Sequence, residues 1–368
     1  MQLVHTSRNQ LLRPLQIVSG IVERRHTLPI LANLLIRKDG DKISFLSTDI
    51  EIQITTLADF AVGAGQAAST VAARKLVDIL RAMPEGDVTL TLSDKRMTVQ
   101  SGKSRFALQT LAAEEFPTAS EASEFTARFN LPQKTLKHLL GMVHFAMAHQ
   151  DIRYYLNGML LVVEGKKIIA VATDGHRLAY CSVETEQEAA ARQEVIIPRK
   201  TILELQRLLE DTDDAVEVAL APNQAKFKFG QIELLTKLVE GKFPDYQRVI
   251  PKGYNNSFEL DRTVLQASLQ RAAILTSEKF KGVRFALDTN LLKVNSTNAD
   301  QEEAQEELDI DYHGDAIDIG FNVTYLLDVL GNLKEDKVQV SLGDANSSAL
   351  LTLPGDESFK YVVMPMRI

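Results

Sequence analysis

The chain has no tryptophan, a single cysteine and few aromatic residues, 6% in all. One cysteine excludes an intramolecular disulfide and any cysteine-based zinc site. That residue, Cys181, lies in the alternating run Leu178-Ala179-Tyr180-Cys181-Ser182-Val183, so it reads as a small strand residue in a reducing, cytoplasmic setting rather than as a nucleophile. No apolar run approaches the roughly 18 residues that a membrane span needs. Residues 1–25 carry no separate apolar core with a small-residue cleavage site, so no secretory signal is expected. Also missing are a phosphate-cradling glycine loop, a histidine-rich metal set and a nucleophile motif; Gly63-Ala64-Gly65 is a lone fragment of the wrong spacing. Neither catalysis nor a cofactor is expected. The net charge of −8, taken alone, argues against nucleic acid.

What the sequence does contain is a repeat. Ser47-Thr48-Asp49 returns as Ala172-Thr173-Asp174 and, more weakly, as Ser296-Thr297-Asn298, with the threonine recurring at 125 and 124 residues. Ala73-Arg74-Lys75 returns as Pro198-Arg199-Lys200, with Asn322-Val323-Thr324 in third place, and Phe116-Pro117 returns as Phe243-Pro244. Solenoid units run about 20 to 50 residues, whereas this period is long enough for a domain with its own core. Asp49 and Asp174 could be imagined as an acid–base pair. They are repeat equivalents beside turns, and the third copy has Asn298, which suits structure rather than catalysis.

Each third shows the same order of elements. Apolar residues at three- and four-residue spacing predict helices at 10–22, 133–148 and 262–275, the last capped by Asp261, with Pro14 tolerable only in a first turn or at a kink. Alternating strands follow at 33–37, 42–46 and 51–57, at 156–163, 167–171 and 177–183, and at 282–287, 291–295 and 306–312. A second helix at 74–83, 199–210 and 323–333 precedes further strands, such as 88–92, 97–101 and 106–111. The expected class is α+β: three tandem similar domains, 1–125, 126–252 and 253–368, each a doubled strand–helix–strands unit with two helices and antiparallel sheets.

Charge is unevenly placed. The six helical segments 8–22, 72–83, 133–148, 198–210, 261–275 and 322–334 hold 13 of the 41 Lys and Arg but only 5 of the 49 Asp and Glu. Helix surfaces rich in Lys usually carry Glu as well. Its absence points to a phosphate backbone as partner. The sixth segment, with Lys334 against Asp328, does not follow the pattern.

The stretches Tyr154-Tyr155-Leu156-Asn157-Gly158-Met159, Ala172-Thr173-Asp174-Gly175-His176-Arg177-Leu178-Ala179, Lys242-Phe243-Pro244-Asp245-Tyr246 and Tyr361-Val362-Val363-Met364-Pro365-Met366-Arg367 resemble the β subunits of bacterial DNA polymerase III, the replication sliding clamps. The resemblance runs end to end. It implies the DNA clamp fold, a homodimer of three-domain chains closed head to tail into a ring, and helices lining a hole threaded by double-stranded DNA. It also implies sequence-independent sliding that confers processivity on the polymerase.

The resemblance further implies three sets of residues. Arg25 and Gln150, with Tyr154 and Tyr155, would meet DNA; Arg24-Arg25-His26-Thr27 departs from the usual Gly-Arg-Pro-Thr, so Arg24 and Arg25 both stand for that contact. A plain reading of the two tyrosines is that they open a strand. The dimer seam would comprise Lys75, Arg96, Lys103, Arg105, Phe106 and Leu108 on one edge, and Ile274, Leu275, Asp300, Glu302, Glu303 and Glu306 on the other. That acidic run lacks EF-hand spacing, so an acidic partner for Arg105 is expected rather than a metal site. A groove for short peptides of the polymerase catalytic subunit, the clamp loader and repair proteins would comprise Leu156, Thr173, Gly175, His176, Arg177, Leu178, Pro244, Val249, Asn322, Tyr325, Ser348, Val362, Met364, Pro365, Met366 and Arg367. There the methionines would adapt to apolar anchors and His176, Arg177 and Arg367 would hold polar groups at the rim. Without the resemblance, Met364 and Met366 read as core residues and His176 as a turn residue. A peptide-docking scaffold that never encircles DNA is the alternative function.

Overall fold

A computed structural model describes residues 1–23, 28–186 and 191–368. It divides into two compact units, one of Met1–Lys134 with Arg207–Leu238, the other of Thr135–Gln206 with Val239–Ile368. Among the described residues every ladder is antiparallel, in sheets of twelve, eight and four strands. The twelve-stranded sheet belongs to the first unit and the other two to the second. The middle third therefore does not stand apart: it gives strands Ala127–Pro132, Ala215–Leu220, Gln224–Phe229 and Ile232–Lys237 to the first unit, and Gly158–Glu164, Lys167–Thr173, Arg177–Glu184 and Gln193–Pro198 to the second.

One arrangement joins the thirds twice. The strand Ile52–Ala58, which follows the Thr48-Asp49 turn, pairs on its far side with Ile232–Lys237. Its counterpart Arg177–Glu184, after Thr173-Asp174, pairs with Asp356–Val363. The turns themselves match bond for bond. Thr173 Oγ1 donates to the Arg177 carbonyl at 2.6 Å and accepts from Gly175 N at 3.1 Å, while Asp174 Oδ1 accepts from His176 N and Arg177 N. Thr48 and Asp49 make the same four bonds around Ile50, Glu51 and Ile52. Short polar side chains that bond the backbone two or three residues on are what make Thr and Asp turn formers.

The expected elements are present with shifted ends. The first-kind helices run Arg8–Ser19, Gln133–Gly141 and Arg262–Ala273, and the second-kind Ala73–Ala82, Arg199–Leu208 and Val323–Asn332. The helix expected over 133–148 stops at Gly141 and resumes only as a short turn, His144–Ala146, consistent with the weak helix preference of Gly. Asp261 caps its helix by accepting from Val264 N at 3.0 Å. Pro14 is the seventh residue of its helix rather than a first-turn residue, which leaves the Gln10 carbonyl without its usual helical donor. The strand expected over 306–312 lies three residues earlier, Glu303–Asp309.

The basic helices have a cause other than phosphate for part of their charge. Arg8 donates to the Met83 carbonyl at 2.6 Å, Arg74 to Val22, Arg199 to Met147, Arg207 to Ile17, and Arg262 to Leu330 and Glu335. Most of these acceptors lie at or just beyond helix C-termini, where unpaired carbonyls and the helix dipole favour a cation. Arg13, Lys134 and Arg271 pair with Glu210, Asp213 and Glu306. At least eight of the thirteen helix cations thus have partners within the chain.

Ile50 carries strain. Its φ is +81°, and its repeat equivalent is Gly175 at +91°. A β-branched residue in this region costs about 1–3 kcal/mol, and Ile50 is 40% exposed, so little burial offsets it. Ile50→Gly is expected to stabilise the protein by about 0.5–1.5 kcal/mol after the extra chain entropy of glycine, read as a higher urea midpoint; an unchanged or lower midpoint would contradict the strain.

Candidate functional site

The turn Thr173–Arg177 is the centre of the site. Gly175 has a positive φ, which favours glycine, and a Cβ there would lie 2.9 Å from Arg153 Nη1 and push that guanidinium aside. Arg153 is held by Asp151, through Nη2 to Oδ2 at 2.8 Å, and donates to the Asp174 carbonyl. Arg177, two residues after Gly175, has a side chain only 9% exposed. Its guanidinium donates to Asp174 at 3.0 Å, Asp328 at 2.6 Å and the Phe145 carbonyl at 2.8 Å, and lies 4.5 Å over the Tyr325 ring. Burial works against its charge, but the Tyr361 oxygen and the Asp328 and Asp174 carboxylates outweigh that and hold its pKa up. Tyr361 in turn donates to the Tyr325 carbonyl at 2.8 Å. His176 stacks on Tyr325, centroids 6.4 Å apart and planes 19° from parallel. Beside this network lies an open cavity of about 600 Å³ whose lining includes His144, His149, Arg153, His176, Arg177 and Arg199.

An apolar cluster adjoins the turn. Leu156, Leu178, Phe243, Tyr246 and Val362 are buried in it, and Tyr155, Tyr180 and Ile250 pack on it while partly open. Val249, beside Ile250, and Met364, two residues after Val362, are 47% and 50% exposed. Met364 N donates to the His176 carbonyl at 2.9 Å, and Met366 N to the Gly320 carbonyl at 2.8 Å. Residues 364–368 therefore run as a strap from the end of one sheet to the edge of another. An apolar floor and adaptable thioethers make a site suited to an extended peptide.

Three family models tile the chain: the N-terminal domain of the DNA polymerase III beta subunit over residues 1–120, the central domain over 130–245 and the C-terminal domain over 247–367. The beta sliding clamp of Pseudomonas putida is 45% identical over 362 residues, and that of Escherichia coli 44%, each alignment covering 98% of both chains. Sliding-clamp crystal structures superpose over the full length of both chains, one from Pseudomonas aeruginosa with a TM-score of 0.96 at 42% identity and one from Caulobacter crescentus with 0.94 at 36%. The chain belongs to the DNA polymerase III beta sliding clamp family. It is a replication sliding clamp, a processivity factor. A Pseudomonas aeruginosa clamp has been solved bound to griselimycin.

Within this clamp, several residues do not stand where the sequence suggested. Arg177 is not a free rim group, because its Nε, Nη1 and Nη2 already bond Asp174, Asp328 and the Phe145 carbonyl. Leu156, Thr173, Leu178 and Val362 are buried rather than open to the surface. Met364 and Met366 are not core: one is exposed and the other half-buried. Asn322 caps the helix Val323–Asn332 by accepting from Thr324 N at 2.9 Å. The Ser348 carbonyl accepts from Tyr254. Pro244 is exposed, Pro365 half-buried in the strap, and Arg367 lines a different cavity, with Phe280 and Arg284.

Arg25 lies outside the described residues, as does Arg24. Gln150 is exposed in a left-handed conformation, φ +56°. Tyr154 and Tyr155 form a 3₁₀ turn rather than opening a strand, which begins at Gly158. Tyr154 is 60% exposed, and Tyr155 packs on the apolar cluster. Between them and Gln150 stands Ile152, 96% exposed, whose only sequence signal is an apolar residue flanked by Asp151 and Arg153. Asp328 was also missed, because its partner Arg177 is 151 residues away, and so was Arg153, whose bond to Asp151 is local but whose reach to the Asp174 carbonyl is not.

In the first unit, the strand Ser104–Leu111 pairs along one side with Arg96–Ser101, but on the other meets Gln66–Ala72 only at Leu111 and Thr110. The remainder of that edge carries Lys103, Arg105, Phe106 and Leu108, with Phe106 41% exposed; Lys75 and Arg96 are exposed elsewhere on the unit. In the second unit, Glu303–Asp309 ends the four-stranded sheet. Asp300, Glu302 and Glu303 are exposed there, whereas Glu306 is bound by Arg271, which lowers its pKa. Ile274 is 77% exposed and Leu275 half-buried. Among the described residues no cluster of three or more metal-ligating side chains occurs, and no helix is long and apolar enough to cross a membrane. Cys181 is fully buried, and burial pushes its thiol pKa up to about 12, which suppresses the nucleophilic thiolate.

Removing Arg177 strands Asp174 in a partly buried position. Arg177→Met is expected to cost about 2–4 kcal/mol, toward the low end for a broken buried pair because Asp328 is 36% exposed. Asp328→Asn, which keeps a hydrogen-bond acceptor at the open end, should cost under about 1 kcal/mol. Urea unfolding of both variants checks the order; equal losses would mean that Arg177 is not the hub.

Proposed function

We propose that two copies of this chain close head to tail into a ring that threads duplex DNA, slides without reading sequence, and tethers DNA polymerase III and other replication and repair proteins through the groove around His176. The reading rests foremost on the two open strand edges of opposite charge. A head-to-tail ring needs two different, complementary surfaces on each copy, and an unpaired edge is a template for strand addition from another chain. The Ser104–Leu111 edge offers Lys103, Arg105, Phe106 and Leu108, with Lys75 and Arg96 as flanking cations. The Glu303–Asp309 edge offers Glu302, Glu303 and Asp300, with Ile274 and Leu275 as apolar partners. Glu306 contributes less, being engaged by Arg271.

The ring, rather than affinity, then holds the protein on DNA. Phosphate contacts position a protein without specifying sequence, and Gln150, Tyr154 and whichever of Arg24 and Arg25 faces the duplex supply them. The clamp acts in the cytoplasm without chemistry of its own. In the groove, the apolar floor takes anchor side chains, and Met364, Met366 and Pro365 close over them. The internal engagement of most helix cations favours a second reading, a docking scaffold that never encircles DNA.

A salt challenge separates the two. Counterion release weakens phosphate contacts steeply, but salt does not open a closed ring. Clamp loaded on circular duplex is expected to survive salt that strips it from short linear DNA; simultaneous release from circular, end-blocked and open-ended DNA would favour the scaffold.

The seam is tested separately. Ile274→Ala with Leu275→Ala should give a folded monomer in light scattering that still binds a labelled tail peptide of the polymerase catalytic subunit, since each interface anchor is worth about 1–3 kcal/mol. A double variant that stays dimeric would place the seam elsewhere.

A further inference from the structure

The strap 364–368 lies on two glycines that no turn requires. Gly282 and Gly320 occupy strands, Gly282–Asp288 and Ile317–Asn322, and neither has a positive φ. Glycine weakens a strand interior, and its presence there marks close approach of another group. That group is the strap. A Cβ on Gly320 would lie 2.5 Å from the Met366 carbonyl oxygen and would overlap Ile368 Cγ1; one on Gly282 would lie 2.6 Å from Ile368 Cγ2 and 3.6 Å from Met366 Sδ. Ile368 therefore rests as a knob in the hollow left by two missing methyl groups. Its far side is open, 55% exposed, at a cavity of about 590 Å³ shared with Phe280 and Arg367.

We infer that Ile368 is a positioning residue of the peptide groove: seated on Gly282 and Gly320, it pins the strap so that Met364 and Met366 are held in place for a peptide it does not touch. The inference rests on the groove reading above. Two backbone bonds, from Met364 N to His176 and from Met366 N to Gly320, fix the strap's path, but Pro365 between them has no N–H to add. The knob is the next hold along the chain. Because Ile368 borders a cavity and not the core, its truncation leaves the sheets beneath it intact.

The test uses full-length protein labelled with ¹³C at methionine methyls and the polymerase tail peptide. Ile368→Ala is expected to weaken the peptide roughly tenfold and to move the Met364 and Met366 methyl signals toward free-chain positions, with thermal unfolding unchanged. Ile368→Leu should restore both. Gly282→Ala should weaken binding in the parent but add nothing in the Ile368→Ala background, since the shorter side chain has vacated the contact. Unchanged methyl signals in Ile368→Ala, or full additivity of the two substitutions, would overturn the inference. If the parent fails to bind the peptide, the groove reading falls while the methyl signals still decide whether Ile368 pins the strap.

Discussion

The candidate groove depends on one ladder, the pairing of Arg177–Glu184 with Asp356–Val363. It sets Arg177 opposite Val363 and Leu178 opposite Val362, so the turn from the middle third and the strap from the last third start side by side. Each later feature follows from that register. A slip by one residue would turn Leu178 and Val362 away from the apolar cluster and separate His176 from the Met364 amide. The pairing is long-range in sequence, and the Thr173–Asp174 bonds that shape the turn are local. Local bonds fix the turn's geometry, and the distant ladder aims it.

Arg177 shows why a buried charge is kept at such a junction. An apolar set replacing Arg177 together with its carboxylate partners could fill the space at little cost in stability. It could not bond Asp174 in its own turn, Asp328 on the helix Val323–Asn332 and the Phe145 carbonyl at once. Those three partners lie on separate elements, and the planar guanidinium, with five donors in fixed directions, sets their mutual orientation as well as their distance. The Tyr325 ring is held by the same group, and with it the stack against His176.

How much of this was legible follows from the range of each interaction. The repeat, the six helices and most strands could be read because each depends on periodicity and nearby turn residues. Asp261 as a cap is an example, a local bond to Val264. The role of Arg177 could not be read, because Asp328 is 151 residues away and nothing in the turn distinguishes an arginine that reaches inward from one that reaches out. Met364 and Met366 looked like core for the opposite reason: an apolar pattern does not reveal that the ladder stops at Val363. The excess of helix cations was visible, but many partners proved to be main-chain carbonyls at helix ends. A carbonyl has no residue type, so composition could not announce it, and for that part of the charge the fold itself is the partner.

A threonine followed by Asp or Asn opens a turn in all three thirds, with three different outcomes. In the middle third Gly175, His176 and Arg177 follow Asp174, and the turn becomes the centre of the candidate groove. In the first third Ile50, Glu51 and Ile52 replace them: Ile50 is strained where glycine would be relaxed, and Glu51 pairs with Lys237 at 3.2 Å, so no histidine, no inward arginine and no glycine opening remain to build a second groove of the same kind. In the last third Asn298 takes the position of Asp174, and its Oδ1 accepts from Asp300 N and Glu302 N. The residues so displayed are acidic and sit beside the open strand edge. Repetition supplies the opening residue pair three times, and the side chains after it decide whether the turn is strained and closed, frames the candidate groove or displays carboxylates beside a strand edge.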